Sequence, residues 1–189
     1  MSEKIEEEYD KEPKFDAGLN PVDNYWYLIN YLRDLIKASE IKAGLVLSFY
    51  GLLFNFFFQF SDHLFTTASD DPAVYIFMVF WFVFSVVSIY FSFRCFMPQI
   101  EDKFDNSVFF FGDILKEYGG IKDYVRELER ITKKASPLYR QLGEQVFVNA
   151  KITAAKFKNV NLSIKYLSYN IGLLFVFILY YAIKAYLQS

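Results

Sequence analysis

Three stretches of the chain are apolar on every side. AGLVLSFYGLLFNFFFQF runs from Ala43 to Phe60, AVYIFMVFWFVFSVVSIYFSF from Ala73 to Phe93, and YLSYNIGLLFVFILYYAI from Tyr166 to Ile183. None contains Lys, Arg, Asp or Glu. A helix needs about 20 such residues to cross a hydrocarbon core, so the pattern predicts three membrane spans. Outside them the period is that of amphipathic helices. Tyr25, Leu28, Tyr31 or Leu32, and Leu35 recur at helical spacing, with Asp23 or Asn24 as the expected N-cap. No breaker separates this segment from the first span, so one helix is expected over 21–60. Ile121, Tyr124 or Val125, Leu128 and Ile131 predict a second amphipathic helix with these residues on one face. Ser136-Pro137 marks the start of a third, whose apolar stripe from Leu138 to Ile171 continues into the last span. Such a helix, roughly 45 to 50 residues long, measures ~70 Å at 1.5 Å per residue.

The polar remainder divides accordingly. Residues 1–20 are acidic, interrupted by Pro13 and poor in large apolar side chains, the composition of a mobile tail. The connector SDHLFTTASDDP has no Lys or Arg, whereas six precede the first span (Lys4, Lys11, Lys14, Arg33, Lys37, Lys42), thirteen lie from Arg94 to Lys165, and only Lys184 follows. The positive-inside rule then puts the N-terminus and the 94–165 insert in the cytoplasm and the C-terminus outside. The expected fold is an all-α membrane protein. It has three transmembrane helices (43–60, 73–93, 166–183), N-in and C-out, and a cytoplasmic helical layer built from helix extensions and the insert. Within that insert, NSVFFFGDILKEY is too short to span. Its phenylalanines are expected to bury in the seam between the cytoplasmic helices, with Gly112 allowing a tight turn or close backbone approach and Asp113 capping the short helix that follows.

Charge and composition then narrow the chemistry. Cys95 is the only cysteine and reads as a packing residue; His63 is the only histidine, so no zinc site is expected. There is no G-x-S-x-G, phosphate-binding loop or HExxH. The sequence predicts no catalytic residue, no metal and no nucleic-acid partner. Two polar patterns each admit two readings. Lys151, Lys158 and Lys165, seven apart, line one face of the final helix, with Asn149, Lys156 and Asn159 on nearby faces. They are either a solvated face whose lysines reach lipid headgroups, or an anion site that Arg126, Arg130 and Arg140 join. In the spans, Asn55, Gln59 and Asn170 either bond between helices of one subunit or form a polar strip in an oligomeric pore. Gly44, Ser48 and Gly51 offer a small-residue face for packing within or between subunits.

The order of these features resembles a known family. KASEIKAGLVLSFYGLL resembles the opening of bacterial Pycsar transmembrane effectors, FRCFMPQ their exit from the second span, NSVFFFGDILKEY their aromatic-Gly-Asp segment, and QLGEQVFVNAKITAAKFKNVNLSIKYL their long final helix. The resemblance covers roughly residues 25–187 and implies an anti-phage defence effector in the bacterial inner membrane. It would sense a cyclic pyrimidine mononucleotide (cCMP or cUMP) made by a partner cyclase and disrupt the membrane, causing abortive infection. No cofactor other than that ligand is implied, and a homo-oligomer is expected. Under this reading Arg126, Arg130, Arg140, Lys151 and Lys158 are candidates for the phosphate. Asn149 and Asp113 are candidates for polar base contacts, and Tyr118 or Tyr124 for stacking. SLATT-type effectors share the layout, so a small channel or transport subunit not gated by a cyclic nucleotide is the alternative, and a scaffold recruiting partners through the acidic tail is a third.

Overall fold

The computed structural model describes residues 20–59, 72–97, 108–109 and 111–188. All regular structure among them is helical: α1 (Pro21–Gln59), α2 (Pro72–Phe96), α3 (Phe111–Glu117), α4 (Ile121–Thr132) and α5 (Ala135–Gln188). Segments of α1, α2 and α5 are long and apolar enough to cross a membrane. In the most apolar 18-residue window of each, no more than 22% of residues are buried within the chain. An apolar surface that large and uncovered requires lipid or other apolar partners.

α1 starts earlier than the sequence suggested. The N-cap is Asn20, not Asp23 or Asn24: its Oδ1 accepts the Val22 N–H at 3.2 Å, and Pro21 takes the first helical position, where its missing N–H costs nothing. Asp23 instead lies in the first turn, where its charge suits the helix dipole. α5 has 54 residues, about 81 Å at 1.5 Å per residue. Pro137 falls in its first turn and no proline follows, so nothing interrupts it.

The chain forms two compact units. One holds α1 up to Ile36, the 108–109 turn, α3, α4 and α5 up to Thr153. The other holds α1 from Lys37, α2, and α5 from Ala154. In the second unit, small hydroxylated residues bring α2 and α5 together. Ser88 Oγ donates to Ser163 O (2.8 Å) and Ser163 Oγ donates back to Ser88 O (2.9 Å). Ser92 Oγ lies 2.6 Å from Ser163 Oγ. Serines at these contact points let the backbones approach closely while each hydroxyl finds a partner, and Phe91 stacks on Tyr166 beside them. Nearby, Trp81 stacks on Phe57 at 5.4 Å and meets Phe54 edge-on.

Asn170 is fully buried in this unit. Its amide nitrogen donates to Trp81 O (3.0 Å) and its oxygen accepts from the Tyr50 hydroxyl (3.0 Å), with Ser85 Oγ 2.8 Å away. One side chain thus joins α1, α2 and α5. Replacing it with leucine removes the amide's bonds to the Tyr50 hydroxyl and the Trp81 carbonyl and puts a branched side chain beside Ser85. We expect Asn170→Leu to cost about 1–2 kcal/mol, read as a lower thermal midpoint in detergent with membrane insertion retained. An unchanged midpoint contradicts the network.

Candidate functional site

The first unit is held together by polar contacts on a small apolar core. Val108 is fully buried, and both of its backbone groups are engaged. Its N–H donates to Gln141 Oε1 at 3.2 Å, and its carbonyl accepts from the Tyr124 hydroxyl at 3.3 Å. The turn at 108–109 is therefore clamped to both α4 and α5. Phe109 packs edge-on against Trp26 of α1 at 5.8 Å, and Tyr25 stacks on Tyr139 at 6.0 Å. A Cβ on Gly143 would stand 4.0 Å from the Tyr25 ring, so α1 and α5 run close here. Thr153 Oγ1 adds a bond to Leu32 O (3.3 Å).

Two local expectations are corrected. Gly112 lies in the first turn of α3 and makes no tight turn of its own; the turn falls at 108–109. Asp113 sits inside that first turn and not before it. Phe110 lies outside the described residues. On α4, Tyr124, Leu128 and Ile131 turn inward, but Ile121 is 78% exposed and Val125 is exposed as well. The Tyr124 hydroxyl bond to Val108 sets the rotation of the helix and leaves those two on its outer side.

The sequence-derived ligand candidates fall into separate groups. Tyr118 and Tyr124 meet edge-on at 5.5 Å. Burial pushes the Tyr118 hydroxyl above its ordinary range, and the carboxylates of Glu127, Asp113 and Glu117 push it further. The aromatic pair and Asp113 are thus together, in an acidic setting. Arg130 stands beside them but is already neutralised, with its Nε 2.7 Å from Glu127 Oε2 and a second bond through Nη2. The same pairing holds the Glu127 carboxyl below its usual value. Arg126 lies on the exposed side, 3.7 Å from Asp123.

A second set of charges lies along one face of the first part of α5. Arg140, Glu144, Phe147 and Lys151 follow one another at steps of four, three and four, the spacing of one helix face. Arg140 Nε is 3.6 Å from Glu144 Oε1. Phe147 is 56% exposed, and Lys151 Nζ rides 5.6 Å from its ring centre. An exposed ring with a lysine over it, and an arginine two turns earlier on the same face, offers stacking and charge together to a planar anion. Phe147 was not among the sequence candidates. Its signal was its place seven after Arg140 and four before Lys151. Asn149 lies off this face, half-buried, its carbonyl accepting from Thr153 Oγ1 at 2.7 Å. Lys158 belongs to the other unit and is exposed.

The final helix also holds a lysine of another kind. Lys156 is buried, and its Nζ donates to Glu40 Oε1 (2.8 Å) and to the Cys95 carbonyl (2.6 Å). The ammonium sits at the C-terminal end of α2, where free carbonyls carry partial negative charge. Cys95 is itself fully buried, its Sγ 3.7 Å from the Ser39 and Lys156 carbonyls. In the apolar helices, Asn170 bonds inside the subunit, while Asn55 and Gln59 are exposed and bond to each other. Among the described residues no group of His, Cys, Asp and Glu could hold a metal.

Against known proteins, the family model for the Pycsar effector protein domain, PycTM, matches residues 24–183. The Pycsar effector protein PtPycTM of Propioniciclava tarda is 27% identical over 163 residues, covering 82% of this chain and 76% of the relative. No solved structure matches.

Proposed function

Because the chain belongs to the Pycsar effector family, we propose that it is the membrane effector of an anti-phage defence pathway. A partner cyclase makes a cyclic pyrimidine mononucleotide, cCMP or cUMP, after infection. The effector senses it in the cytoplasm and breaches the inner membrane, so that the infected cell stops growing before phage can spread. The observation that carries this reading is the extent of the family match. It runs through the polar helical unit and all three candidate spans, so the part that receives a signal and the part that acts on lipid are both included. The chain acts as an effector and catalyses no reaction.

Within the polar unit, the phosphate is assigned to Arg140 and Lys151 and the base to the face of Phe147. Electrostatics favours this face over the Tyr118–Tyr124 pair. A phosphate beside Asp113, Glu117 and Glu127 meets three carboxylates, whereas the Arg140 face carries one, Glu144, whose pair with Arg140 at 3.6 Å is longer than the 2.7 Å bond that holds Arg130 on Glu127. A bound ligand acts by preferring one packing of the helices over another. The route available to it is α5 itself, which runs unbroken from Ala135 to Gln188 and carries the last span.

Co-expression with cyclases of defined product tests the proposal, with membrane potential followed by a voltage-sensitive dye. Depolarisation is expected only with a cyclase that makes the matching pyrimidine nucleotide. Depolarisation without any cyclase, or none with either nucleotide, contradicts it. Orientation has its own test. A periplasm-active reporter fused after Ser189 is expected to give signal, and the same reporter inserted within 120–135 is expected to be silent, in line with the bias of Lys and Arg.

A further inference from the structure

Six side chains form a continuous strip along α1: Ile41, Leu45, Ser48, Leu52, Asn55 and Gln59. Their spacing alternates four and three, a period of 3.5 residues, which is the seam pattern of helices that pair along their length. All six are exposed, with Ile41, Leu45 and Leu52 at 64%, 65% and 63%. The residues of α1 that pack within the subunit, Ala43, Val46 and Tyr50, are on another side of the helix. The glycines divide in the same way. A Cβ on Gly44 would meet the Phe96 ring at 3.9 Å, whereas one on Gly51 would meet nothing within 4 Å. Gly44 therefore packs inside the subunit, and Ser48 and Gly51 leave the outer face open to close approach.

The amides identify the occupant. Gln59 Nε2 donates to Asn55 Oδ1 at 2.7 Å. This leaves the Asn55 NH2 group and the Gln59 oxygen with no partner among the described residues. Acyl chains can cover the leucines of the strip but cannot bond an amide, and polar side chains turned to hydrocarbon are costly. Copies of one chain enter a membrane in the same sense, so the axis relating a pair lies along the membrane normal and each residue meets its own counterpart. A carboxylate or an ammonium in that position would repel its twin. An amide donates and accepts, so it complements itself. We propose that this strip is a seam between two copies of the protein, in which Asn55 and Gln59 bond to their counterparts and Ser48 and Gly51 admit close approach of the backbones. The inference deepens the membrane-effector reading and rests on α1 being a span.

Single cysteines at Ser48 and Leu52, and at the off-strip positions Phe49 and Phe56, test it in native membranes, with buried Cys95 left in place. Copper-phenanthroline oxidation is expected to give covalent dimer at Ser48 and Leu52 several-fold above Phe49 and Phe56. Monomer at every position, equal yields at all four, or a preference for Phe49 and Phe56 overturns the seam. Adding Asn55→Leu with Gln59→Leu to the Ser48→Cys protein keeps the helix apolar and inserted, and is expected to lower the dimer yield several-fold. An unchanged yield overturns the amide pairing. Reaction of Ser48→Cys with a membrane-impermeant maleimide in intact cells would place the strip outside the bilayer. The span itself then fails, a result distinct from a span that stays monomeric. If the inferred seam is wrong but depolarisation still follows the cyclase, the effector reading stands alone.

Discussion

Replacing Lys156 with alanine is expected to cost about 3 kcal/mol of stability, the low end of the range for breaking a buried ion pair. The substitution strands Glu40 and removes a donor from the Cys95 carbonyl. The low end applies because the Glu40 side chain is 37% exposed, so water can take over part of its charge. It also opens a void between α1, α2 and α5 where the lysine stem lay. For a chain of this size 1 kcal/mol moves the thermal midpoint by about 2–4 °C, so a drop of roughly 6–12 °C is expected in mild detergent. The double variant Lys156→Met with Glu40→Gln removes both charges and keeps the volume, and should recover most of the loss. If Lys156→Ala melts with the parent protein, the pair is absent from the folded state.

The largest functional effect is expected from Arg140→Gln combined with Lys151→Gln. Each lost charge-assisted bond to a phosphate is worth about 1.5–3 kcal/mol, and every 1.4 kcal/mol is tenfold in affinity. Together they should raise the nucleotide concentration needed for depolarisation by at least roughly 100-fold. Both side chains are on the surface, and Arg140 is 65% exposed, so folding and insertion should be unaffected. Phe147→Ala tests the stacking partner and should weaken the response while leaving the charges in place. Arg126→Gln serves as the comparison. Its guanidinium is 81% exposed and loosely paired with Asp123, so little change is expected. The opposite pattern, response lost with Arg126→Gln plus Arg130→Gln and retained with Arg140→Gln plus Lys151→Gln, would move the site to α4. Calorimetry on purified protein with cCMP and cUMP separates weaker binding from weaker coupling.

Much of this molecule could be read without coordinates. The three apolar runs and the unbroken passage from amphipathic helix to apolar helix in α1 and α5 follow from local composition. A helix long enough to cross a membrane must be apolar along a fixed length, and that is a property of consecutive residues. The family resemblance was likewise legible, because it rests on the order of motifs. The short Asn20-Pro21 start was missed because several polar residues compete for the cap and only backbone geometry selects among them. Gly112 was read as a tight turn or a close backbone approach because glycine permits both; the clamp of Val108 by Gln141 and Tyr124, made across more than one element, put the turn earlier.

The candidate site depended on something local composition does not contain, the rotation of each helix about its own axis. Lys151 and Lys156 are five residues apart in one helix, yet one lies exposed over a phenylalanine and the other is buried on Glu40. Asn170 and Asn55 are both amides in apolar helices. One closes a network inside the subunit, and the other is exposed on the outer side of α1. Arg130 looked like any surface cation until its bond to Glu127 showed its charge already taken. The sequence by itself determined which segments are helices and which of those are apolar enough to span, because both depend on neighbours in the chain. Only the tertiary structure decided which polar side chains are satisfied and which face outward, because that depends on where serines, glycines and aromatic rings from distant segments let two helices touch.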